Sequence, residues 1–186
     1  MKFVLIRHLA PLIEPGICYG RLDVPPDPAT GEQAEALASH PALRGVTQVW
    51  TSPSRRCHGL AEIIAAALVV PLASDARLRE LDFGDWEGRR WDDIDRTSLD
   101  PWAASPLTFA PPAGESGAAL IKRTRDFLAS LDWNRSCAIV SHGGPLKVLA
   151  ALLEGTPVDL LAAAPPLGSV TVIATGGHVR EVAPAR

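Results

Sequence analysis

The chain has 186 residues, a net charge of −3, 47% hydrophobic and 21% charged residues. That is a length that buries a real core and a composition near the globular mean, which excludes a disordered tail protein. There is no basic field to hold nucleic acid or an anionic membrane, so any anion site must be a local cluster of donors.

Phe3-Val4-Leu5-Ile6 is wholly apolar and rich in strand formers, and reads as a central strand buried on both faces. The run is too short for a signal peptide and is interrupted by Arg7-His8. Residues 9–29 carry Pro11, Pro15, Gly16, Gly20, Pro25, Pro26 and Pro28 and read as a long, functional loop. Thr30 and Gln33 stand at capping-box spacing, predicting a helix from there to about His40-Pro41. Val46 to Trp50 reads as a second strand. Ser52 as N-cap and Pro53 in the first turn then open a helix to about Leu68.

Pro71 to Leu81 reads as strand then loop. Residues 82–115 are aromatic, acidic and Pro-rich without a clear period, and read as a lid-like insertion over one end of the domain. Helical spacing returns from Ser116 to Leu131. Cys137 to Ser141 is another buried strand, and Gly143-Gly144-Pro145 opens a helix over Leu146 to Leu153. Val170 to Ala174 reads as a strand, Gly176-Gly177 as a turn and His178 to Val182 as a weak edge strand. Strand and helix alternate, so the expected class is α/β with a largely parallel sheet, as one domain over 1–186.

Three strand ends run into polar residues: Arg7-His8, Thr51-Ser52-Pro53-Ser54-Arg55-Arg56 and Ser141-His142-Gly143-Gly144. Ligands of open α/β sheets bind at the carboxyl ends of strands, so Arg7, His8, Arg56 and His142 are expected to converge. Arginine grips phosphoryl oxygens with two N–H groups, and a neutral imidazole is a competent nucleophile toward phosphorus. Nearby positive charge lowers the pKa of His8. These four groups therefore point to phosphoryl transfer. The reaction also needs an acid for the leaving oxygen, and residue reading leaves Glu80, Asp82 and Asp85 all open.

Other motifs carry less. Cys18, Cys57 and Cys137 are odd in number, lack C-x-x-C spacing and suit a reducing, cytoplasmic setting as packing residues. His40, His58 and His178 have no partner at metal-ligand spacing. Asp92, Asp93 and Asp95 do not follow a calcium loop. No G-x-S-x-G elbow or P-loop occurs. Trp86, Trp91 and Trp102 read as core or lid, with one of them a candidate to stack on a substrate ring.

Five pieces in order are Arg7-His8, Ser52-Pro53-x-x-Arg56, Glu80-x-x-Phe83-Gly84-x-Trp86-Glu87-Gly88, Gly114-Glu115-Ser116 and Ser141-His142-Gly143-Gly144. Together they resemble the histidine phosphatase superfamily, the phosphoglycerate-mutase-like group, over most of the chain. The resemblance implies a three-layer fold with helices on both sides of the sheet. It implies a phosphohistidine at His8, phosphoryl contacts from Arg7, Arg56, His142 and the Gly143 N–H, and Glu80 as general acid and then base. It implies no metal or other cofactor, and a small phosphate monoester as substrate of a monomer or homodimer.

Gly16-Ile17-Cys18-Tyr19-Gly20-Arg21 with Asp23-Val24-Pro25, and Arg56-Cys57 with Leu60-Ala61, are most similar to the α-ribazole phosphatase branch, which acts in cobalamin nucleotide-loop assembly. Only 26 positions separate Gly88 from Gly114, counted as 114 − 88, where mutases carry a longer insertion. A sugar or glycerate phosphatase or mutase of the same family, and an idle phosphate-binding regulatory module, are the rival expectations. Leu9 stands where the family has Gly or Ala, Ala10-Pro11 where it has a hydroxyl nearby, and Leu60 where Thr is common. Leu9, Tyr19, Arg21, Trp86 and Trp102 are the expected pocket residues.

Overall fold

The computed structural model describes residues 1–174. The expected turn at Gly176-Gly177 and edge strand at His178–Val182 lie outside them. The strands are β1 (Lys2–Arg7), β2 (Gln48–Thr51), β3 (Leu72–Ser74), β4 (Cys137–Ser141) and β5 (Val170–Ala174). They form one sheet in the order β3-β2-β4-β1-β5. Every pairing is parallel except β1 with β5, an antiparallel edge. The helices are α1 (Gly31–Ala38), α2 (Arg55–Leu68), α3 (Arg96–Ala104), α4 (Gly117–Ala129) and α5 (Gly143–Glu154).

The central strands have no polar face because both faces are covered. Val4, Ile6, Val49, Ala138 and Val140 pack with Ala34 and Ala38 of α1 and Ile64 of α2. Phe3, Leu5, Cys137 and Ile139 point the other way, onto Phe127 and Leu128 of α4 and Leu149 of α5. Alternate residues of one strand thus feed two separate cores, as the period of two requires. Among the described residues no helix is long and apolar enough to cross a membrane.

Three local expectations are corrected. Helix α2 begins at Arg55 with Ser54 as N-cap, two residues later than expected. Ser52 precedes a proline, which disfavours helical backbone, and its hydroxyl is engaged elsewhere. At α1 the capping box is not made: Thr30 caps without a side-chain bond and gives its hydroxyl to Asp27 O, because Asp27 caps the short turn just before it. Residues 82–115 contain a helix, α3, that the sequence does not announce. Pro101 lies inside it and none of its residues is fully buried, so there is no apolar stripe to read. Its start is held by Asp95, which accepts from Thr97 N.

This segment has its own small core, in which Trp86, Ile94 and Cys18 are buried against Phe83, Trp91, Trp102 and Phe109. Backbone bonds stitch it to the proline-rich loop: Cys18 N to Arg89 O, Gly88 N to Cys18 O and Trp91 N to Gly16 O. The two long irregular segments therefore form one cap beside the sheet.

Helix α2 ends on Val69 at φ 54°, ψ 49°, a left-handed position, and Val69 is 89% exposed. A β-branched residue is strained there and has no packing to lose. We expect Val69→Gly to stabilise the fold by about 1 kcal/mol, raising the melting temperature by ~2–4 °C. An unchanged or lowered melting temperature in a thermal scan would show that the strain is not felt.

Candidate active site

The register sets the site before any side chain is considered. Arg7 pairs with Ser141 and Thr51 with Val140 in adjacent parallel ladders. His8 N then bonds Ser141 O, and Ser52 N bonds Val140 O. The residues that follow β2, β4 and β1 thus sit side by side at the carboxyl edge of three neighbouring strands. His8 and His142 meet there edge to face, with ring centroids 5.2 Å apart.

His8 is 1% exposed, and its Nδ1 lies 2.6 Å from Leu9 O. A carbonyl only accepts, so in the neutral ring Nδ1 carries the hydrogen and Nε2 keeps the lone pair. Burial, then the charges of Arg56 and Arg7, lower the His8 pKa to about 3, against the opposing bond to Leu9 O. His142 is fully buried, and burial followed by Arg56 pushes its pKa well below the usual histidine range. Its Nε2 is 2.8 Å from Ser52 Oγ, and Cys57 Sγ packs 3.4 Å from the same nitrogen.

Both arginines are partly committed to the backbone. Arg56 is 1% exposed and donates to Gly20 O and Leu22 O, with its guanidinium 5.0 Å from the Tyr19 ring centre. Arg7 donates to Pro165 O. The Nε of each is buried with no hydrogen-bond partner. A buried donor left unpaired costs roughly 1–3 kcal/mol, which an incoming oxyanion would return.

Glu80 lies at the start of α5. Its two oxygens sit 3.1 and 3.3 Å from Gly144 N, and Oε1 also accepts from Leu81 N. A Cβ at residue 144 would overlap that carboxylate, so a side chain there would displace Glu80 from the head of the helix. A Cβ at residue 143 would come within 3.6 Å of the Arg7 guanidinium and closer still to Ala164. The Gly143 N–H at the head of this helix and the two guanidinium groups make a local anion site in an acidic protein.

A cavity of about 320 Å³ opens beside it, lined by Arg7, Glu80, Gly143 and Gly144 at one end and by Tyr19, Phe83, Trp91 and Trp102 elsewhere. Of the five expected pocket residues, Tyr19 and Trp102 line it. Leu9 does not: it is buried in the core with α1 and α2. Arg21 does not: it pairs with Asp82 and Glu115. Trp86 does not: it is 2% exposed and fills the core of the aromatic segment. Phe83 and Lys147 also line the cavity, and neither was singled out for it. Helical spacing from Gly143 through Gly144 to Lys147 was the available signal. The Ser52 contact to His142 was likewise hidden, because its proline context read as a cap. Among the described residues no group of three His, Cys, Asp or Glu side chains is placed to hold a metal ion.

The family profile of the histidine phosphatase superfamily (branch 1) matches residues 3–183. A glucosyl-3-phosphoglycerate phosphatase of Mycolicibacterium vanbaalenii is 29% identical over 96% of this chain and 85% of its own. The structure of YhfR from Bacillus stearothermophilus superposes with a TM-score of 0.82 at 29% identity, covering 95% of this chain and 92% of that one. The α-ribazole phosphatase structure from Shigella flexneri gives 0.85 at 26% identity, with the same coverage.

The depressed pKa values have a sign that can be checked. As pH falls from about 6.5 toward 3, the unfolded chain takes up protons that the native His8 refuses, so stability falls by about 1.4 kcal/mol per pH unit for that group. His142 acts in the same direction. In histidine NMR spectra, neither ring titrates between pH 5 and 8, and urea midpoints drop from pH 7 to pH 5. A ring midpoint near 6.5 for either residue contradicts the burial argument.

Register, paired imidazoles and profile agree: the chain belongs to the histidine phosphatase superfamily, branch 1, and is a phosphatase of that family.

Proposed function

We propose that the protein hydrolyses a phosphate monoester through a phosphohistidine on Nε2 of His8, with α-ribazole 5′-phosphate as the substrate. The observation that carries the first part is the pairing of a neutral, Nδ1-anchored His8 with His142 beside the buried Arg56 and the half-buried Arg7, each with a buried, unpaired Nε. In the first step the Nε2 lone pair forms the N–P bond while the ester P–O bond breaks, and Glu80 supplies the proton to the leaving oxygen. In the second, Glu80 takes a proton from water as its oxygen attacks phosphorus, the N–P bond breaks and phosphate departs. Arg7, Arg56, His142 and the Gly143 N–H hold the charge on the equatorial oxygens, where preorganised donors act most strongly. No part of this sequence calls for a metal or organic cofactor.

The aromatic lining of the cavity supports an aromatic leaving group. Tyr19, Phe83, Trp91 and Trp102 line the cavity beside the anion site, which suits the flat base of α-ribazole. The likeness to the Shigella flexneri enzyme supports the same substrate. One observation favours a second reading. Lys147 also lines the cavity, and its ammonium group, which donates to Leu160 O and Ala162 O, has a third N–H that would suit the carboxylate of a glycerate phosphate, the class named for the Mycolicibacterium vanbaalenii relative.

Two sets of measurements test this. Brief exposure to labelled substrate, quenched in denaturant without acid, leaves label on the protein but not on His8→Ala. Label persisting in that variant moves the nucleophile elsewhere. Arg56→Ala and His142→Ala each lower kcat/KM by about 10²–10³-fold, as lost oxyanion donors do. Losses below tenfold in both argue against their phosphoryl contacts. Glu80→Gln slows alkyl phosphates far more than nitrophenyl phosphate, whose leaving group needs no proton. In a substrate panel, α-ribazole 5′-phosphate exceeds phosphoglycerates and sugar phosphates in kcat/KM. The reverse order favours the glycerate reading.

A further inference from the structure

The charged residues behind Glu80 form a closed quartet that the reaction itself does not use. Glu115 is its hub. Its Oε1 accepts from Arg21 Nη2 at 3.0 Å, Arg123 Nη2 at 2.6 Å and Asp82 N at 3.2 Å, and its Oε2 accepts from Arg123 Nε at 3.2 Å. Its own backbone N donates to Asp82 O. Arg21 Nη1 reaches Asp82 Oδ2 at 3.1 Å. The Glu115 and Arg123 side chains are 14% and 15% exposed, while Arg21 and Asp82 are 31% and 27% exposed, so the Glu115–Arg123 half is largely desolvated and the other half partly open to solvent.

Two cations and two carboxylates balance in this cluster, and both cations touch Glu80. Arg123 Nη2 donates to Glu80 O at 2.8 Å and Arg21 Nε at 3.4 Å. Arg123 also holds Arg77 O. The backbone from residue 77 to 82 is thereby gripped on both sides of Glu80, while Leu81 packs with Leu120 and Val148. Both guanidinium groups thus sit on the backbone of the residue whose carboxylate accepts from Gly144 N and Leu81 N. The carboxylate they share is that of Glu115, and Arg21 also takes that of Asp82. Without its charge the cluster carries one uncompensated cation, and buried uncompensated charge is expensive.

We propose that Glu115 is a positioning residue for Glu80: it occupies Arg21 and Arg123, and so leaves the Glu80 carboxylate against the first turn of α5, facing the cavity. This rests on the reading of Glu80 as general acid and goes beyond it, because it makes leaving-group protonation depend on a residue that touches no substrate.

The test uses Glu115→Gln, which keeps the shape and one acceptor oxygen but removes the charge. Near-UV circular dichroism confirms the fold. With an alkyl phosphate, kcat falls by about tenfold or more, with KM little changed, as for a weakened general acid. With nitrophenyl phosphate the loss is several-fold smaller. In a Glu80→Gln background the same substitution adds almost nothing, because coupled residues are not additive. In Glu115→Gln/Arg21→Gln, where charge balance is restored, the ratio of alkyl to nitrophenyl turnover recovers; a merely structural role would make the double variant worse. Equal losses for the two esters in Glu115→Gln, additive loss with Glu80→Gln, or no recovery in the balanced variant overturns the proposal. If Glu80→Gln keeps its leaving-group dependence in those cases, the acid role stands alone. If Glu80→Gln loses both esters equally, the acid role and this inference fall together.

Discussion

The Nδ1–H of the buried His8 on the carbonyl of Leu9 is the interaction on which the site depends. It does two things. It directs the lone pair to Nε2, and it holds the ring facing His142. Burial and two arginines keep that ring neutral, so its surroundings leave a lone pair on Nε2 with no base required. Leu9 matters here through its backbone oxygen. Its side chain belongs to the core, which is why an unusual residue after the histidine does not reshape the cavity.

Around that ring the protein spends its charge sparingly. Arg56 fixes the proline-rich loop through Gly20 O and Leu22 O, and Arg7 fixes the segment before β5 through Pro165 O. Each keeps Nε unpaired. The same side chains thus build the walls of the site and retain a donor for an anion. The cost is borne by the fold, since an unpaired buried donor is destabilising, and the sheet and its two cores supply the rigidity that tolerates it.

The strands and most helices were legible because their apolar periods follow directly from two-sided burial. The wholly apolar runs at Phe3–Ile6 and Cys137–Val140 have nowhere to sit but mid-sheet. Convergence of Arg7, His8, Arg56 and His142 was legible for a similar reason: parallel strands put their carboxyl ends on one edge. The start of α2 was misplaced because a serine before proline resembles a cap, and only the fold shows its hydroxyl meeting His142. Helix α3 was missed because it buries none of its residues fully and carries a proline. Arg21 and Trp86 are expected in the pocket and do not line it. Charge pairing took the first away from it and aromatic packing the second.

Sequence alone determined the class of fold, the edge of the sheet where chemistry gathers and the kinds of group found there, since strand polarity and residue type are local properties. Tertiary structure alone decided which nitrogen of His8 is free, which carboxylate stands at the head of α5 and which aromatic rings border the cavity. The tautomer is read from the bond to the neighbouring Leu9 O, but the carboxylate and the rings are settled by contacts between distant segments, as are the pairing of Arg7 on β1 with Ser141 on β4 and of His8 with His142, each 134 residues apart. No local pattern encodes such contacts, because they exist only once the two cores have closed on the sheet.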